Sequence, residues 1–200
     1  MTYLTHKRCA VWVAIVGCMF LYTRGMNNIN YYLALIIIIQ FSKVGALFPD
    51  VDHNWQNVKE KTAVNWVINK IIHITGGKHR SWQTHSIDIT AGFCFLSAFL
   101  PEYLLTQGSI NVVDKEILSV VMVGFSLGWV SHILADMLNG TGVRLVCWNK
   151  KHVAFVPKQM LGMKFKTGDS WENFVSTLTQ GMNVVSGIIA ILYPFLVQKL

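Results

Sequence analysis

Five apolar runs, residues 9–23, 30–48, 87–106, 117–138 and 182–197, set the frame for everything else in the chain. In hydrocarbon only a helix or a closed barrel satisfies every backbone polar group, and runs of this length fit helices. The first run is short for a span and fits a half-embedded helix as well as a crossing one. Composition agrees: 52% of the 200 residues are hydrophobic and 14% are charged, against roughly 25% charged in a soluble domain. Mean hydropathy is +0.42. The expected architecture is mostly α, a membrane-embedded helical bundle of about four to five apolar helices. No linker divides it, so residues 1–200 read as a single domain.

The net charge of +7 raises nucleic-acid binding as a function, and the placement of the charges argues against it. If all five runs cross, the N-terminus and the 49–86 and 139–181 loops share one side. Of the 17 Lys and Arg residues, only Arg24, Lys115 and Lys199 fall opposite, which leaves 14 on that side. Cytoplasmic loops carry such an excess, so the basic side is expected in the cytoplasm. The charge is then topological, and anionic membrane lipids are the expected partners. Nucleic-acid binding keeps one signature of its own, a steep salt dependence.

Cys9, Cys18, Cys94 and Cys147 lie far apart and form no C-x-x-C pair, which suits a reducing compartment rather than a disulfide framework. Lys7 and Arg8 precede an apolar stretch as in a signal peptide, but no A-x-A-like site follows, so the segment is expected to be retained.

The same side count gathers the polar motifs at one rim. His6 is expected just ahead of the first helix, "PDVDH" (49–53) follows the second, "HRSWQTHS" (79–86) precedes the third, and His132 and Asp136 end the fourth. His132 and Asp136, four apart, share a helical face about one turn (~5.4 Å) apart. In "PDVDH" two carboxylates and an imidazole crowd into a turn, with oxygen and nitrogen ligands suited to zinc or manganese. A plain N-cap explains the same residues. His79 and His85, six apart, do not share a helical face, and solvated loop histidines would account for them. A helix–helix hydrogen bond would account for His132 and Asp136. His73 reads as packing or surface, and His152 stands apart.

Between the rim motifs, Ala63, Val67, Ile71 and Ile74 fall at helical spacing and Gly76-Gly77 stops the run. Two readings fit: an amphipathic helix on the bilayer surface or over the site, and an ordinary packed helix. "VRLVCW" and "HVAFVP" flank Asn149-Lys150-Lys151 as a short β-hairpin would, near 143–157.

Taken together, "GALFPDVDH", "HRSWQTHS", "GWVSHILADMLNGTGVRLVCWNKKHVAFVP" and "TGDSWE" resemble the YdjM family of inner-membrane proteins, for which metal-dependent hydrolysis is the expected activity. The resemblance runs from His6 to about Glu172 and rests on the order and relative spacing of several motifs. The family is in turn more distantly similar to zinc-dependent phospholipase C and the fungal single-strand nucleases, helical enzymes that hold two or three zinc ions and include an H-x-x-x-D pair. By resemblance His132 and Asp136 take that pair's role, with His6, Asp50 and His85 as the best-matched further ligands. Asp52, His53 and His79 are implied as ligands or as partners of ligands. The usual family motif resembles HRGxTHS, whereas here Ser81, Trp82 and Gln83 stand between Arg80 and Thr84. Glu172 matches a family position without an evident chemical role.

The expectation is a hydrolase in a bacterial-type inner membrane, multi-pass, acting on a phosphoester at the cytoplasmic surface and using two or more divalent ions, zinc first and manganese second. A phospholipid or other lipid-linked phosphate fits that location. Asp50 and Arg80 are the candidate catalytic residues, with Arg80 able to pair bidentately with phosphate. Two rivals stand beside this reading. One is a non-enzymatic membrane protein whose rim holds a structural metal or a polar network. The other, ranked lower, is a metal-ion transporter, which predicts ionisable residues near mid-span.

Overall fold

The computed structural model of the chain describes residues 2–24, 29–59, 61–78, 80–138, 142–149, 151–155, 159–160, 163–164 and 168–197. Its order is α1 (Tyr3–Thr23), α2 (Tyr31–Leu47), two 3-10 turns (Pro49–Asp52 and Trp55–Asn57), α3 (Ala63–Ile74), α4 (Trp82–His85), α5 (Ile87–Thr106), α6 (Val112–Met137), the strands β1 to β4, and α7 (Ser170–Val197). Side-chain caps start three of the helices: Asn30 accepts from the Tyr32 and Leu33 amides, Thr62 from Asn65 and Asn111 from Asp114. β1 (Val143–Arg144) pairs antiparallel with β2 (His152–Val153), the expected hairpin in short form. β3 (Gln159–Met160) and β4 (Met163–Lys164) make a second small pair.

Five helices, α1, α2 with its following turn, α5, α6 and α7, are long and apolar enough to cross a membrane. Their surfaces suit lipid. α5 exposes Phe95 and Phe99, and α7 exposes Val184, Ile188 and Phe195, while the buried positions are mostly small or hydroxylic. Between membrane helices association rests on close packing and interhelical hydrogen bonds rather than on the hydrophobic effect. Such bonds run from Ser42 Oγ to the Ala10 carbonyl at 2.9 Å and between Ser97 and Ser126 at 2.7 Å.

α6 packs against α1, α2 and α5, and α7 packs on α1. The α2–α6 crossing is the tightest part of the bundle. Gly124 and Gly128 of α6 lie against the backbone of Ile38 and Ser42, and Gly45 of α2 lies against the Phe125 carbonyl. A Cβ at any of the three would strike backbone. This small-residue seam brings the last turn of α2 against α6.

Three helices begin earlier than their apolar runs. α1 starts at Tyr3, so His6 lies inside the helix rather than ahead of it; α6 starts at Val112 and α7 at Ser170. Hydropathy marks the stretch suited to hydrocarbon, whereas helix extends wherever polar contacts continue it. The early turns of α1 and α7 hold each other through Arg8 Nη1 to Ser176 Oγ (2.7 Å) and Thr5 Oγ1 to Glu172 Oε1 (2.9 Å).

Candidate metal centre

All the polar motifs meet at one end of the bundle, where α2 and α6 finish and α1, α5 and α7 start. His132 lies one turn beyond Gly128 on the face of α6 that meets α2. Its Nδ1–H donates to the Ala46 carbonyl at 2.6 Å. That carbonyl belongs to the last turn of α2, where helix carbonyls lack an intrahelical donor. A carbonyl only accepts, so the Nδ1 proton is required and Nε2 is left with its lone pair.

His85, on α4, is set the same way by a carboxylate. Its Nδ1 lies 3.0 Å from Asp52 Oδ2, an oxygen that also accepts from the Ser81 amide (3.0 Å) and the Thr84 hydroxyl (2.7 Å). The Trp129 indole N–H bonds the Thr84 carbonyl at 2.9 Å and ties α4 to α6. With both Nδ1 atoms donating outward, the Nε2 atoms of His85 and His132 face each other at 3.2 Å. Two lone pairs at that distance need a positive charge between them. Ligands about 2.0–2.1 Å from a tetrahedral zinc stand about 3.3 Å apart, which matches.

Carboxylates surround the pair. Asp136 Oδ2 lies 3.8 Å from each of the two Nε2 atoms, and Asp50 Oδ1 lies 3.9 Å from His132 Nε2. His6 of α1 stacks on His132, with ring centroids 3.8 Å apart and planes at 12°, and its Nε2 lies 3.5 Å from Asp136 Oδ1. Its Nδ1 is buried with no hydrogen-bond partner. Two overlapping groups can each hold an ion: His6, His132 and Asp136, and Asp50, His85 and His132. His6, His85, His132 and Asp136 are buried and Asp50 is half-buried. His132 can serve only one ion, because its Nδ1 is taken, so the two groups, which share it, do not both use it at once.

The orphaned His6 nitrogen, the facing Nε2 atoms of His85 and His132 and the pair of carboxylates form a donor set that fits a zinc-type ion. Among the described residues, the cluster contains five of the expected ligands, His6, Asp50, His85, His132 and Asp136. Of the two roles expected for Asp52, ligand or partner of a ligand, the geometry fits the second, because its Oδ2 accepts from His85 Nδ1. A 3-10 turn has three residues per turn, so Asp50 and His53 share a side while Asp52 faces α4 and orients His85. His53 is likewise outside both groups: its Nε2 lies 3.7 Å from Asp50 Oδ1, and it lines the neighbouring cavity. His79 lies outside the described residues. His73 bonds the His53 carbonyl at 3.3 Å, and His152 sits exposed on β2.

Arg80 has φ 61, a left-handed conformation that costs on the order of 1–3 kcal/mol for a non-glycine residue. The kink aims its guanidinium inward: Nη2 lies 3.2 Å from Asp136 Oδ2, and Nη1 donates to the Gly142 carbonyl at 3.1 Å. A cavity of about 420 Å³ opens beside the cluster and is lined by His6, Asp50, Arg80 and Asp136, with Lys59 at its wall.

Several supporting residues escaped the sequence reading. Asn69 of α3 donates to the Val51 and His53 carbonyls at 2.5 and 2.8 Å and holds the "PDVDH" turn. A lone buried Asn in an amphipathic helix was its only trace. Glu172 now has a role: it accepts from the Thr2 amide, the Thr5 hydroxyl (2.9 Å) and the Gly168 amide (2.6 Å). It thereby anchors the turn of α1 that carries His6.

Fold and site together define a helical membrane protein with a buried His–Asp cluster at one end of its bundle. The sequence model of the YdjM inner membrane protein family matches residues 1–198, and the chain belongs to that family. No curated protein and no solved structure matches it.

Proposed function

We propose that the chain is a membrane-bound, metal-dependent hydrolase acting on a phosphoester at the cytoplasmic surface of a bacterial-type inner membrane. The observation that carries the reading is the Nε2 pair of His85 and His132, which face each other at 3.2 Å with each Nδ1 bonded outward and with Asp50 and Asp136 around them. Zinc would suit these donors best and manganese next, with His6, Asp50, His85, His132 and Asp136 as the residues that would hold it. The bound cation supplies Lewis acidity and an activated water. Hydrolysis adds water across the P–O ester bond: its oxygen joins phosphorus and its proton goes to the leaving alcohol oxygen.

The chain's own residues have separable tasks. Asp52 holds His85 in one tautomer, and the Ala46 carbonyl does the same for His132. Arg80, at the wall of the cavity, pairs with phosphate oxygens, and the electrostatic pull of Asp136 keeps its guanidinium at the site until then. Lys59 adds positive charge at the mouth. The orientation follows from the charge count: the basic loops and the site share one side, which the positive-inside rule makes cytoplasmic. A transporter is disfavoured by the buried polar groups described near the middle of α5 and α6, which are the neutral hydroxyls of Ser97 and Ser126.

The test compares the detergent-purified protein with a His132→Ala, Asp136→Ala double variant. Wild type should carry stoichiometric metal and release phosphate or alcohol from members of a phosphoester panel, and the variant should do neither. Equal metal in both overturns the site. Metal that binds while every ester stays intact favours a structural metal instead.

A further inference from the structure

A second cavity lies against the first. It measures about 530 Å³ and is walled by Val44 of α2, Phe48 just past its end, Ile68 of α3, Phe93 of α5, and Phe125 and Trp129 of α6. Leu47 and Asn65 line both cavities, so the apolar one begins where the polar one ends. Its size falls within the range of about 300–1,000 Å³ typical of ligand sites.

Its depth and walls say what it suits. Trp129 and Phe125 lie about two and three turns before the end of α6, so the cavity extends from the metal cluster toward the middle of the bundle. α6 packs against both α2 and α5, and residues of all three helices line the cavity. A cavity with walls this apolar disfavours water and accepts hydrocarbon. A water-soluble phosphoester would have no use for it.

α3 closes the cavity with Val64 and Ile68. Its polar residues Asn69 and His73 face the "PDVDH" turn, while Val67, Ile71 and Ile74 form an exposed apolar arc, Ile74 being 83% exposed. The arc is not packed on the described residues, which supports the reading of the segment as an amphipathic helix resting at a lipid interface. The mouth of the cavity therefore lies beside lipid.

We propose that the apolar cavity seats the hydrocarbon chain of a phosphate-bearing lipid whose headgroup lies in the polar cavity beside the cluster. This rests on the hydrolase reading above and adds the class of substrate. Leu47 and Asn65 stand at the junction of chain and headgroup, and Arg80 meets the phosphate. A lipid entering between α2 and α5 keeps its chain in hydrocarbon throughout.

The experiment is photolabelling of the full chain, returned to phosphatidylcholine nanodiscs with zinc present, by phosphatidic acid carrying a diazirine in its acyl chain. Adducts should concentrate in residues 44–48 and 125–129 and be lost when excess unlabelled phosphatidic acid is added. Diacylglycerol with the same diazirine chain should label the outer faces of α5 and α7 instead, without such competition. A Val44→Trp, Ile68→Trp variant, which fills the cavity, should lose the competed adducts about tenfold while still binding zinc. Phosphatidic acid that labels like diacylglycerol, or competed adducts that survive in the filled variant, would overturn the proposal. The competition arm uses wild type alone, so it does not depend on the variant folding. Phosphate release is read on the same samples and on the phosphoester panel: localised adducts with every ester intact refute hydrolysis and support the lipid seat, while release without localised adducts refutes the seat and supports hydrolysis.

Discussion

At one end of the bundle α1, α2 and α6 bury Ala14, Cys18, Ala34, Ile38 and Val120, and at the other the same three helices bury His6, His132 and Asp136. The helices and the small-residue seam are common to both ends, so packing alone does not explain the difference. What separates them is backbone chemistry. Mid-helix carbonyls are taken by their own helix, whereas α2 ends at Leu47 and leaves the Ala46 carbonyl to accept from His132. Imidazoles and carboxylates can be buried where helices end because partners exist there, and at mid-span they would be costly.

Each variant that follows sharpens or breaks that contrast. His132→Ala removes the residue common to both ligand groups. Zinc affinity should fall by more than about 100-fold, beyond the roughly 10–100-fold typical of losing an outer partner, as read by metal competition with a chelator. Asp52→Asn, which leaves every ligand in place, should fall within that band of about 10–100-fold. Unchanged affinity there would mean that Asp52 does not orient His85.

Gly128→Val tests the seam that connects the two ends. A side chain there must push α2 away from α6, which should destabilise the bundle by about 1–3 kcal/mol in thermal unfolding and also weaken zinc binding by moving Ala46 off His132. A loss of stability with zinc affinity intact would show that the two ends are independent. Ile38→Val at the apolar end is the smallest change, about 0.5–1.5 kcal/mol of stability, with zinc affinity unaltered. Lowering the pH should release zinc from wild type, because protons compete for the histidine nitrogens; metal content followed across a pH series checks the direction.

Much of this was legible in the residues. Apolar run length predicts the five long helices, and the alternation of sides predicts that His6, Asp50, His85, His132 and Asp136 share one rim. Two things were hidden. Helix starts at Tyr3 and Ser170 depend on contacts such as Thr5 to Glu172, between residues far apart in the chain, which no local pattern records. The division of labour in "PDVDH", with Asp50 toward the cluster, Asp52 toward His85 and His53 on the cavity wall, depends on a single 3-10 turn that Asn69 pins from another helix.

The sequence by itself determined the kind of solvent the chain lives in and the end of the bundle where its chemistry gathers, because hydrophobic length and charge are properties of the residues in order. Tertiary structure alone decided which nitrogens of His85 and His132 face each other and which carboxylates lie beside them. Those choices rest on backbone carbonyls and amides, which every residue carries, and only the approach of α2, α4 and α6 selects the ones that matter.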